Sequence, residues 1–133
     1  MPTLPDPVTG AADLLFCLAF AGLIAHELDA VHRHEWRLLF VLRRMADGPA
    51  RRAFVLAHVP LLALLLWLAA HPDAGVRRWS ALGLDAFMVV HAGLHWRLSD
   101  HPKYEFRAAH SRLLIYGTAA LAAAHLLVLL RVP

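Results

Sequence analysis

The chain has 133 residues, enough for one domain. Hydrophobic residues make up 59% of it and the mean hydropathy is +0.53, too apolar for an ordinary soluble domain of this length. The net charge of +3 does not argue for nucleic acid, because the cations gather in two connections, and the single cysteine, Cys17, excludes an internal disulfide and a thiolate metal cluster.

Residues 1–10, with Pro2, Pro5, Pro7 and Gly10, read as a short external tail. Residues 11–133 read as one domain of four apolar helices at about 11–33, 51–70, 79–98 and 112–131. Each is near the ~20 residues that cross a ~30 Å hydrocarbon core. The first lacks a basic leader and a clear cleavage site, and is read as retained. Trp36 is expected at the membrane interface, with its N–H wet. Asp47-Gly48-Pro49 reads as a turn, and Pro60 predicts a kink in the second span. Residues 61–70, LLALLLWLAA, carry no polar stripe, which a soluble bundle helix would need. The fourth span is rich in alanine and contains Gly117, residues that let membrane helices approach closely. The expected fold is therefore all-α: an integral-membrane four-helix bundle running up-down-up-down.

The cations set its orientation. Arg33, Arg37, Arg43, Arg44, Arg51 and Arg52 lie between the first two spans, and Arg97, Lys103, Arg107 and Arg112 between the last two. Only Arg77, Arg78 and Arg131 fall on the other side. The positive-inside rule then puts loops one and three in the cytoplasm and both termini outside, as expected for a multi-pass protein of a bacterial inner membrane. Membrane lipids are the expected partners, the basic loops being suited to anionic ones.

Ionisable groups inside a span are costly and normally face the bundle interior. With loops one and three cytoplasmic, His26, His58 and His91 each lie one to two turns below that boundary, so three helices contribute a histidine to one layer. His91 and His95 are four apart and share a face; His26 and Asp29 are three apart and do likewise. Imidazoles with a carboxylate in a water-poor site suit a divalent metal such as iron or zinc. The expected ligands are His26, Asp29, His58, His91 and His95, with Glu27 or Glu35 as general acid or base. On a straight helix Glu35 would lie opposite His26; it joins the site only where the helix breaks near residues 32–35. Asp29 and Arg33 are spaced to pair, and Asp85 and His125, both near mid-membrane, are expected to pair as a proton path or a structural lock.

Taken in order, His26-Glu27-Leu28-Asp29-Ala30, Glu35-Trp36-Arg37, His91-Ala92-Gly93-Leu94-His95 and His101-Pro102-Lys103-Tyr104-Glu105-Phe106 resemble a family of small bacterial integral-membrane proteins of unknown function. The resemblance covers nearly the whole chain and implies a four-span membrane protein. A weaker similarity is to the HXXEE-type membrane domains, which look like membrane-embedded enzymes. There His26 and Asp29 match the first histidine and first acid, while Ala30 stands in place of the second acid.

Four functions compete at this level. A membrane-embedded metal-dependent enzyme, oxidoreductase or hydrolase, acting on a lipid or other apolar substrate leads. A haem b electron carrier would pair His26 with His91, or His58 with His125. An ion or proton transporter would continue through Asp85 and His125, and would be a small one unless it forms a homo-oligomer. A structural assembly protein would use its polar residues only to lock helices.

Overall fold

The computed structural model describes residues 7–131. Those residues form four long helices: α1 (Pro7–His32), α2 (Asp47–Ala69), α3 (Ala74–Leu98) and α4 (Ala109–Arg131). No strand occurs among the described residues. A long apolar run must satisfy its backbone within itself once water is excluded, and the helix is the conformation that does so. Three of the four, Gly10–His32 within α1, α2 and α4, are long and apolar enough to cross a membrane.

The helices start earlier than the sequence predicts. α1 begins at Pro7, so residues 7–10 extend the helix; the remainder of the expected tail lies outside the described residues. Asp47-Gly48-Pro49 is the first turn of α2, not a loop. Proline is tolerated in a first turn because the N–H it lacks would have no helical partner there. α3 begins at Ala74, where the Asp73 side chain accepts the Val76 N–H at 2.9 Å and caps the end. α2 runs unbroken through Pro60.

Side-chain pairs fix the helix directions. His26 of α1 meets His91 of α3, and Phe16 and Asp85 both meet His125 of α4. α1 and α3 are therefore parallel, and α4 runs against both. Glu27 with His58, and Trp36 with Phe54, set α2 antiparallel to α1. The up-down-up-down order follows. α4 packs along both α1 and α3, whereas α2 packs more sparingly on its neighbours. Where α1 crosses α4 a Cβ on Gly22 would collide with Thr118 Oγ1, so glycine there lets the two helices approach closely. A π turn over Leu113–Gly117 precedes this crossing.

The buried core has two parts. Ala19, Leu23, Leu84, Met88 and Ala122 fill the bundle, while Trp36, Phe54, Tyr104, Phe106 and Ile115 fill the end that carries the two longer connections. Trp36 is thus buried, not interfacial, and its indole N–H donates to Asp47 Oδ1 at 3.3 Å. Trp67, Trp79 and Trp96 are the exposed indoles.

Candidate metal centre

The site is assembled where α1 ends. His32 is its last residue, and His34 then adopts a left-handed conformation, φ 55° and ψ 41°. Histidine is among the few non-glycine residues enriched there. This single turn folds Glu35-Trp36-Arg37 back under the helix as a short 3-10 segment with Glu35 and Trp36 buried. Outer contacts clamp the segment. His34 Nδ1 lies 2.9 Å from Glu105 Oε2, and Arg37 donates to Asp47 at 2.6 and 3.0 Å and to Glu105 at 3.0 Å.

The Glu35 carboxylate consequently joins the histidines of α1 and α3. Nε2 of His91 is 3.0 Å from Nε2 of His26 and 3.1 Å from Nε2 of His95. Glu35 Oε2 is 3.7 Å from His26 Nε2, while Oε1 is 3.6 Å from His95 and 3.9 Å from His91. One ligand atom from each of His26, Glu35, His91 and His95 lies within 4.8 Å of all the others. His26, Glu35 and His95 are buried and His91 half-buried. Metal–ligand bonds of ~2.0–2.2 Å in a tetrahedron would set these atoms about 3.3–3.6 Å apart. The observed spacings bracket that range.

Hydrogen bonding alone does not satisfy this arrangement. One sp² ring nitrogen carries either one proton or one lone pair. His91 Nε2 nevertheless faces two other Nε2 atoms and a carboxylate. Glu35 Oε2 is buried and has no hydrogen-bond partner among the described residues. A single cation at the centre satisfies all four groups at once. Burial alone would push the Glu35 carboxyl up, but the close approach of His95 and the neighbouring imidazoles outweigh it and hold the group below its ordinary value. It is therefore the ionised carboxylate, the form that binds metal.

Loop three completes the surroundings. The Tyr104 hydroxyl lies 3.2 Å from His95 Nδ1. Burial pushes the Tyr104 phenol up to about 12, so it keeps its proton. Phe106 packs against the His26 and His95 rings, with centroids 5.5 and 4.7 Å away, and Phe87 stacks on His91 at 5.3 Å. Tyr104 and Phe106 were not singled out as site residues by spacing. The available signal was an aromatic pair in the short polar connection that follows His95.

The other expected ligands lie elsewhere. Asp29 pairs with Arg33 Nε at 3.2 Å and lies 3.5 Å from His110, on the side of α1 that faces the start of α4. His58 faces Glu27, its Nε2 2.9 Å from Oε2, while its Nδ1–H donates to the Phe54 carbonyl at 2.7 Å. The structure thus brings together His26, His91, His95 and Glu35, and keeps Asp29, His58 and Glu27 out of that cluster. His125 Nδ1 and Asp85 Oδ2 pair at 2.7 Å, with both side chains buried.

Fold and site define a class: a small all-α chain with membrane-span helices and a buried three-histidine, one-carboxylate group able to hold a metal ion. A family model matches residues 12–132, and the chain belongs to that family, DUF6713, a family of unknown function. No curated protein and no solved structure matches it.

Proposed function

We propose that this protein is a membrane-embedded metalloenzyme. It holds one divalent ion, iron or zinc, on His26, His91, His95 and Glu35, and acts on a lipid or other apolar substrate. The observation that carries this reading is the convergence of three Nε2 atoms and a buried carboxylate from three chain segments on one point. A bound ion of this type supplies Lewis acidity, or a redox couple if it is iron. The chain's own groups hold and orient the ligands. Tyr104 steadies the His95 ring through Nδ1, Phe87 and Phe106 keep water from the imidazoles, and the His34–Glu105 and Arg37–Asp47 contacts keep Glu35 folded inward.

Haem is less well supported. The Nε2 atoms of His26 and His91 are 3.0 Å apart, too close to admit a porphyrin between them. His58 and His125 are engaged with Glu27 and Asp85.

We read α3 as the fourth span, because Asp85 and His95 are buried while Phe87, Val90, Leu94 and Trp96 face outward. The basic connections, residues 33–46 and 99–108, then lie in the cytoplasm of a bacterial cell, and the metal sits just inside that face of the inner membrane. Element analysis of the detergent-purified full chain tests the reading. It predicts about one iron or zinc per chain, lost in His26→Ala and His91→Ala. Metal-free wild-type protein from metal-supplemented cells would overturn it.

A further inference from the structure

A groove runs beside the metal centre. Its walls come from α1, α2 and α3, it measures about 410 Å³, and it is lined by Leu23, Leu61, Leu62, Leu65, Leu84 and Phe87. Glu27 and His58 give this largely greasy channel a polar end, and the one other polar side chain on its lining, Ser80, lies two turns of α3 before Phe87. The Phe54 carbonyl takes the Nδ1–H of His58, which fixes the ring and turns Nε2 onto Glu27 at 2.9 Å. Two links tie this end to the metal ligands. Glu27 follows His26 in the chain, and Phe87 is at once a wall of the groove and the ring stacked on His91. The floor is open at Gly83, where an added Cβ would meet nothing within 4 Å.

These features select an occupant. A plain hydrocarbon would fill the walls but offer no donor to the second oxygen of Glu27, the one His58 does not contact, and leaving a polar atom unpaired costs free energy in an apolar setting. A carboxylate or phosphate head would find no lysine or arginine on this lining and is costly to bring below the headgroup layer. A hydroxyl can donate to Glu27 while its chain fills the groove. We propose that this groove binds a single-chain lipid alcohol, with its hydroxyl on the Glu27–His58 pair and its head beside the His91 ligand. The proposal rests on the metalloenzyme reading, since it supplies the substrate class for that site.

The test is photolabelling of the full chain in phosphatidylcholine nanodiscs with a diazirine-bearing hexadecanol, with metal content measured on the same preparation. Labels are expected on residues 61–65 and 80–87, and excess unlabelled hexadecanol should remove them where hexadecane does not. Gly83→Leu places a side chain in open space and is expected to lower groove labelling about ten-fold while metal content stays at the wild-type level. Glu27→Gln and His58→Phe should abolish the advantage of hexadecanol over hexadecane. Metal-loaded protein labelled evenly over its lipid-facing surface, or labelled in the groove but equally protected by hexadecane, would overturn the proposal. Groove labelling competed by hexadecanol in protein that holds no metal would uphold the binding site and overturn the metalloenzyme reading instead.

Discussion

Two buried polar groups share α3, about 9 Å apart along its axis, and they solve burial differently. Asp85 and His125 meet one to one: a carboxylate oxygen and a ring nitrogen 2.7 Å apart, complementary without any third body. His26, His91, His95 and Glu35 meet many to one, and ring nitrogens that each serve a single hydrogen bond crowd the same point. Each group leaves one carboxylate oxygen without a partner among the described residues, Asp85 Oδ1 and Glu35 Oε2. Burial and an unpaired oxygen therefore do not mark a metal site by themselves. Convergence of like atoms is what sets the second group apart, and a bound cation would resolve it.

That contrast can be broken most sharply by deleting one member of each group. His125→Ala strands Asp85 in the bundle interior and should cost about 3–5 kcal/mol of stability while metal content stays unchanged. His91→Leu should do the reverse, abolishing metal binding while leaving the metal-free fold as stable as before or more so, since it relieves the crowding. Thermal unfolding in detergent, run beside element analysis, reads both. Equal destabilisation of the two metal-free proteins would erase the distinction.

A smaller effect sharpens the metal side. Tyr104 contacts the outer nitrogen of His95 and no other member of the cluster through its hydroxyl. Tyr104→Phe keeps the ring packing and should weaken metal affinity about 10–100-fold, as loss of an outer partner of a ligating histidine does. Competition against a chelator of known affinity measures it. An unchanged affinity would make Tyr104 a packing residue only.

The smallest effect lies far from both groups. Asp73 caps α3, and the Val76 N–H holds its carboxyl below the ordinary value. Its folded pKa is the lower one, so its contribution is complete above the unfolded pKa of ~3.9 and is lost as pH falls through the folded value. Asp73→Asn keeps an acceptor at the cap but cannot titrate. The variant should flatten a slight fall in melting temperature below about pH 4 without altering metal content. An identical acid profile in both proteins would show that the cap adds nothing to pH sensitivity.

Much of this was legible in the chain. Apolar run lengths announce the helices, the four-residue spacing of His91 and His95 announces a shared face, and the depth of His26 matches theirs. Asp85 with His125 and Asp29 with Arg33 pair as their positions suggest. The fourth member of the cluster was harder to read. Asp29 lies on the His26 side of a regular helix and looks the better ligand, whereas Glu35 arrives only through a left-handed turn at His34, and no periodicity encodes such a turn. His58 has the right depth, but the Phe54 carbonyl and Glu27 hold its ring on the groove side. Depth sets the layer of a residue; rotation about the helix and local hydrogen bonds decide whom it meets. Helix starts were misjudged for a related reason, since Pro7 and Pro49 act as breakers inside a helix and as acceptable residues in a first turn.

X-ray absorption at the metal edge of the purified full chain tests the account most directly. It predicts a first shell of nitrogen and oxygen at about 2.0–2.2 Å with the outer scattering of three imidazoles, a signal lost with the metal in His91→Ala. A shell without imidazole scattering, or one that His91→Ala leaves unchanged, would contradict it.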